Sequence, residues 1–256
     1  MKLEHKDDVG ILYIDTERNN SFNFDSIREA HQLMDEAEND STIRALVVTS
    51  THKSIFSPGV DLPSQMSLSR AEMRSFVEEL TGLVRRKFIY PKPEVYALNG
   101  HTIGGGFMMA AAGEYRLMVK GPFKIGLMEI DIGLAAPIGV VQMLNHVFGG
   151  HVADRILLGG ELYSPMEALD LGLVDEVVEP SVLMERAINK ARLLGSKPPM
   201  GYQRLKRYSR QGVAKRMRSL DEDHLDELVE LWFAEDTQER LKAAVAQLTK
   251  SKKAAN

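Results

Sequence analysis

Three adjacent glycines at 104–106, a Pro58–Gly59 turn and one glutamate, Glu129, set among apolar residues are the parts of this chain from which chemistry could be built. Glycine is costly inside a helix or strand. A run of three where one apolar stretch, VYAL, gives way to another, FMMAAA, therefore marks a place where something approaches the main chain. Where a strand turns into a helix, the first N–H groups have no intrahelical partner and can hold an anion. The stretch IFSPGVDL (55–62) offers a second such turn, with the N–H of Val60 as its donor. Two converging N–H groups are what a developing oxyanion needs. Glu129 lies beside Leu127, Met128 and Ile130. Apolar neighbours disfavour its charged form and raise its pKa toward the range of a proton shuttle. Each feature has a plainer alternative: glycines that let a helix pack close to a sheet, an ordinary exposed turn, a solvated surface acid.

These groups need elements to hold them. VGILYID (9–15), RALVVTS (44–50), VYALN (95–99), EYRLMV (114–119) and FKIG (123–126) have the apolar character of strands, and LGLVDEVV (171–178) ends in another. Helical spacing runs from about Phe24 to Glu38 through Ile27, Ala30, Leu33, Met34 and Ala37. It returns over 69–88, where Ser69 and Glu72 form a capping box. The rhythm is α/β. GSKPP (195–199) changes the texture, and the rest reads as helices over 181–195, 198–211 and 214–250. The expected division is an α/β core, 1–195, followed by a helical module, 196–256.

Composition narrows the classes. A length of 256 residues with 44% hydrophobic and 27% charged residues suits an ordinary globular protein with a sizeable core. A net charge of −4 gives no general case for nucleic acid or an anionic membrane surface. Eight basic residues and no acid between Lys197 and Arg218 are expected on a solvated helix face, with the phosphates of a ligand or a neighbouring subunit as the alternatives. The absence of cysteine removes disulfides, thiolate nucleophiles and cysteine-based zinc sites. The histidines are scattered, and His101 reads as a packed neighbour of the glycine turn. No metal site is predicted. No run is long enough to span a bilayer, and the N-terminus lacks a signal or transit pattern, so the expected location is cytoplasmic.

Four stretches in order, IFSPGVDL, NGHTIGGGFMMAAAGEYRLM, FKIGLMEIDIGLAAP and GGELYSPMEALDLGLVDEVV, resemble the crotonase superfamily of enoyl-CoA hydratases and isomerases over about residues 5–250. The resemblance implies a spiral core of repeated ββα units with a C-terminal helical oligomerisation module, in a homotrimer or dimer of trimers. It implies an acyl-coenzyme A thioester as substrate, with no separate cofactor, and a thioester oxygen held by the N–H groups of Val60 and Gly105. Met108, Leu127, Asp61 and Phe233 are expected to contact the substrate, with Trp232 and Phe233 anchoring a subunit interface.

Family hydratases carry a glutamate two residues after the triple glycine; here that position is Met108. The second family glutamate is present as Glu129, the expected catalytic residue. One base suffices to move a double bond, and IGLMEIDIGLAAP is similar to the pattern of mitochondrial-type Δ3,Δ2-enoyl-CoA isomerases, with Met128 in place of their Asn and Asp131 adding a charge. The expected reaction is therefore a 3-enoyl-CoA to 2-enoyl-CoA shift. Hydration, thioester hydrolysis and a silent CoA-binding subunit are the alternatives.

Overall fold

The structure, a computed structural model, describes residues 1–16 and 19–255, with 248–255 described by backbone alone. Strand β1 (Lys2–Lys6) is an exposed edge paired antiparallel with β2 (Val9–Ile14). Helix α1 (Phe24–Asn39) starts from a reciprocal cap between Asn23 and Ser26 and buries Ile27, Ala30, Met34 and Ala37 along one face. It returns the chain to β3 (Ala45–Ser50), which lies parallel to β2.

From β3 onward one unit recurs: a strand in a large sheet, a short strand in a second sheet, then helix. The first turn is β3, β4 (Ile55–Ser57), α2 (Leu62–Gln65) and α3 (Arg70–Phe88); the second is β5 (Glu94–Leu98), β6 (His101–Ile103) and α4 (Gly105–Ala112). The third is β7 (Tyr115–Val119), β8 (Ile125–Gly126), a 3-10 turn over Glu129–Ile132 and α5 (Ile138–Phe148). Then follow α6 (Gly150–Gly159), β9 (Leu162–Tyr163), α7 (Pro165–Asp170), β10 (Glu176–Val178) and α8 (Leu183–Gly195). The large sheet runs β1-β2-β3-β5-β7-β10 and the small one β4-β6-β8-β9, and among the described residues only the β1–β2 and β8–β9 pairs are antiparallel. Each parallel step needs a crossover, which is why the units wind into a spiral.

The large sheet is covered on both faces, as parallel strands require. Val47, Ala97 and Leu117 pack with Ala187, Ile188 and Ala191 of α8; the intervening Leu46, Val48, Leu98 and Met118 face the main core with α1, α3 and α4.

The C-terminal part departs from the expected pattern. The helices expected over 198–211 and 214–250 are instead α9 (Pro199–Phe233), unbroken through Gly212, and α10 (Glu235–Ala255), with the break at Ala234. A mid-helix glycine costs about 1 kcal/mol, and burial of the neighbouring Ala214 and Met217 against the core offsets it. The strand expected within 171–178 is confined to Glu176–Val178. Trp232, expected at a subunit interface, is already buried in the main core of this chain.

The basic run is not simply a solvated face. Lys206 is buried, with its Nζ 2.7 Å from Glu114, and Arg210 meets the same carboxylate oxygen at 2.9 Å. Nearby, Lys87 of α3 and Glu94 of β5 form an ion pair at 2.9 Å, with side chains only 6% and 0% exposed. Breaking such a pair leaves an uncompensated buried charge. We expect Lys87→Met to lower the unfolding free energy by about 3–5 kcal/mol in urea titration, and Lys87→Met/Glu94→Leu to recover most of that loss.

Candidate active site

Two chain turns converge between the sheets. β4 ends at Ser57 and the chain reverses at Gly59, with φ +91°; β6 ends at Ile103 and enters α4 through Gly104, with φ +56°. A β-carbon on Gly59 would lie 2.7 Å from the Gly105 nitrogen. Only a residue with no side chain and access to positive φ lets these turns meet. A β-carbon on Gly104 would lie 3.1 Å from Glu129 Oε1, so the same position also leaves room for the carboxylate. The third glycine serves packing: a side chain at Gly106 would strike the Ser57 carbonyl at 2.5 Å.

The hydrogen bonds leave two donors aside. Phe22 donates to the Gly59 carbonyl at 2.7 Å and Asp61 to the Phe22 carbonyl at 2.9 Å, while the N–H of Val60, between them, has no hydrogen-bond partner among the described residues. In α4 the first N–H to bond back is that of Met108, to Gly104 at 3.0 Å; Gly105 N–H has no partner among the described residues. The positive end of the α4 dipole points into the same space.

Sequence reasoning missed the groups that steady this turn. Asn20, buried and left-handed at φ +65°, donates from Nδ2 to Ser50 Oγ at 2.6 Å and to the Ile55 carbonyl at 3.3 Å. Ser57 Oγ donates to the Asn20 carbonyl at 2.8 Å and accepts from Gly59 N–H at 3.2 Å. The one local sign was the Asn19–Asn20 pair, since asparagine tolerates that backbone region.

Glu129 stands at the start of its 3-10 turn, which Leu134 N–H closes onto the Glu129 carbonyl at 2.8 Å. Gly104 N–H bonds the Gly126 carbonyl at 2.9 Å, tying the head of α4 to the strand that leads to this loop. Glu129 Oε2 is enclosed and has no hydrogen-bond partner among the described residues. Burial pushes the carboxyl up to about 7, against a smaller downward pull from the N–H groups of Glu129 and Met128.

Met108, one turn into α4, and Leu127, two residues before Glu129, are both buried in the main core cluster. Met109 is buried as well. Asp61 is buried next to Val60, immediately ahead of α2. Phe233 is tied to α3, where the Arg70 guanidinium sits 4.7 Å over its ring. Asp131 is exposed, and His101 accepts from Lys124 N–H at 3.1 Å with its ring edge-on to Phe123. Among the described residues no group of three His, Asp or Glu side chains is gathered as for a metal, and no helix is long and apolar enough to cross a membrane.

Strand pairs shared between two sheets and closed by helices, wound around such a turn, make this the crotonase fold. The chain belongs to the enoyl-CoA hydratase/isomerase family, whose model matches residues 6–250. It is 32% identical to the mouse mitochondrial enoyl-CoA delta isomerase 1, over 80% of this chain and 69% of that one. It is 28% identical to a short-chain-enoyl-CoA hydratase of Clostridium acetobutylicum, over 82% and 81%. The crystal structure of human mitochondrial delta3-delta2-enoyl-CoA isomerase superposes with a TM-score of 0.94, covering 98% of each chain at 26% identity.

The raised carboxyl has a consequence for stability. Below its ordinary value of 4.5, Glu129 is protonated in both folded and unfolded chains; between 4.5 and about 7 only the unfolded chain releases the proton, so the contribution to stability falls as pH rises. We expect Glu129→Gln to match the wild type in unfolding free energy at pH 4 and to exceed it by about 3 kcal/mol at pH 8. Urea denaturation at the two pH values checks this.

Proposed function

We propose that the chain is an enoyl-CoA isomerase that shifts a 3-enoyl-CoA double bond to the 2-position, with Glu129 as the one base. The observation that carries this reading is the buried carboxyl of Glu129, with Oε1 against Gly104 at the head of the helix that offers the Gly105 N–H and Oε2 without a partner among the described residues. In the proposed reaction the thioester oxygen accepts hydrogen bonds from Val60 and Gly105. Glu129 then takes a proton from C2, and the electron pair moves into a dienolate whose charge rests on that oxygen. The same carboxyl returns the proton at C4, leaving the 2,3 double bond. Mass is unchanged.

Such donors aimed at a developing charge are each worth on the order of 100–1000-fold in rate. A carboxyl near 7 suits both halves of the transfer, because it is a base strong enough to accept and an acid strong enough to return the proton. Adding water is helped by a second carboxylate at position 108, where this chain has a buried methionine that keeps the space apolar. In this reading Met108, Leu127, Asp61 and Phe233 border the acyl-CoA, and the working unit is a homotrimer or dimer of trimers.

Incubation with 3-enoyl- and 2-enoyl-CoA thioesters, followed by chromatography and mass analysis, tests the reaction. We expect 2-enoyl product at constant mass; a product heavier by one water, or free coenzyme A, overturns the assignment. Glu129→Gln should retain CoA binding and lose about 1000-fold in kcat. Because the free enzyme needs the ionised base, kcat/KM should fall as pH drops through about 7.

A further inference from the structure

The chemistry proposed above sits at one end of α4, and the other end of that helix is held by charges that the reaction does not use. α4 has eight residues, all buried, and none carries a polar side chain. At 1.5 Å per residue it is about 12 Å long, so it moves as one short rod. Whatever fixes its C-terminal end also fixes where the Gly105 N–H points.

That end is gripped by α9. Arg210 donates from one guanidinium nitrogen to the Ala112 carbonyl at 2.7 Å, the last residue of α4, and to the Phe88 carbonyl at 2.9 Å, the last residue of α3. Its guanidinium lies 4.7 Å over the Phe88 ring and 2.9 Å from Glu114 Oε1. Glu114, two residues past α4, also meets Lys206 at 2.7 Å and accepts from the Glu94 N–H with its second oxygen at 2.8 Å. Arg116 adds a bond to the Gly113 carbonyl at 3.2 Å. Two cations at a helix C-terminus also complement the dipole whose positive end faces the substrate oxygen.

We propose that Arg210 and Glu114 are positioning residues for the oxyanion site. Arg210 joins the ends of α3 and α4 through one guanidinium nitrogen, Glu114 holds that nitrogen in place from just ahead of β7, and the pair sets the placement of α4 along its axis. The donor amide of Gly105 inherits that placement. A donor is effective only when it lies about 2.7–3.1 Å from the place the oxyanion will occupy, and a displacement of about 1 Å can cost on the order of 100-fold in rate. Lysine at 210 would keep the charge toward Glu114 but lacks the guanidinium plane that lies on the Phe88 ring and the second nitrogen that faces the Gly113 carbonyl at 3.5 Å, so it cannot hold the donor in the same place.

The inference rests on the oxyanion role of Gly105 in the proposed function, and the test separates the two. The probe is the coenzyme A thioester of 4-dimethylaminocinnamic acid, whose absorption moves to longer wavelength when its carbonyl is polarised. Wild type, Arg210→Lys and Arg210→Met are compared at saturating protein for the size of that shift, and for kcat and KM with a 3-enoyl-CoA. We expect a clear red shift with wild type. With Arg210→Lys we expect the shift cut to less than half, kcat lowered about tenfold and KM changed less than threefold. Arg210→Met should show a larger loss of both, and Arg210→Lys decides the matter should the methionine variant fail to fold. A wild-type red shift and kcat in folded Arg210→Lys, with only thermal stability reduced, would make the contact structural and overturn the proposal. Absence of any shift with wild-type protein would remove the oxyanion reading itself, and the positioning role with it.

Discussion

A backbone N–H enclosed without an acceptor costs on the order of 1–3 kcal/mol, and most proteins avoid it. Here the N–H groups of Val60 and Gly105 have no acceptor among the described residues, on two turns that meet where Gly59 abuts the Gly105 nitrogen. The two-sheet spiral provides the frame. Each turn of chain passes from the large sheet to the small one and then into helix, so the loops after β4 and β6 come from adjacent parallel strands and meet at one level. The glycines then remove the last obstacle to contact, and the Asn20–Ser57 bonds satisfy the neighbouring amide of Gly59 so that the free donor is Val60.

Glu129 follows from the same frame. β8 is the next strand in the small sheet after β6, so the residues just beyond it lie against the head of α4. Among the described residues no cation and no side-chain donor reaches its Oε2, and desolvation is the largest cause of its raised pKa. An acid placed near a salt-bridge partner would have been pulled down and would remain ionised throughout. The two amides and the carboxyl thus depend on opposite treatments of polarity: amides held free by geometry, and a carboxyl held weakly acidic by burial.

Much of this was legible before the fold was known, because the signals are local. Strands β2, β3 and β5 are continuous apolar runs, α1 and α3 carry one-sided spacing, and Ser69 with Glu72 marks the start of α3. The company of Glu129 was enough to give the direction of its pKa. The short strands β4, β6 and β9 have two or three residues each, too few for alternation to register, and β6 is hidden inside the run that ends in the glycines, whereas β8 falls within the expected strand FKIG. Asn20 and Ser57 are 37 positions apart, so nothing in either local stretch announces their bond.

The helix α9 was misread for a more instructive reason. Its buried positions include Ala214, Met217, Asp221, Leu225, Val229 and Trp232, the steady three-and-four spacing of one helix face, and Lys206 and Arg210 extend that line toward the N-terminus. Three of the residues on the line are charged, so a hydrophobicity pattern breaks where the buried face does not. Those charges are also where the helix meets the elements around the candidate site. Arg210 holds the end of α4, and Asp221, its carboxyl pushed up by burial, accepts the Gly139 N–H at 2.8 Å at the start of α5, just beyond the loop that carries Glu129. Eleven helical residues separate them, about 16.5 Å along one rigid axis and nearly a whole number of turns. One face of one helix thus meets the C-terminal end of α4 and the segment just beyond the Glu129 turn at a set distance, and its unbroken passage through Gly212 is what keeps that distance constant.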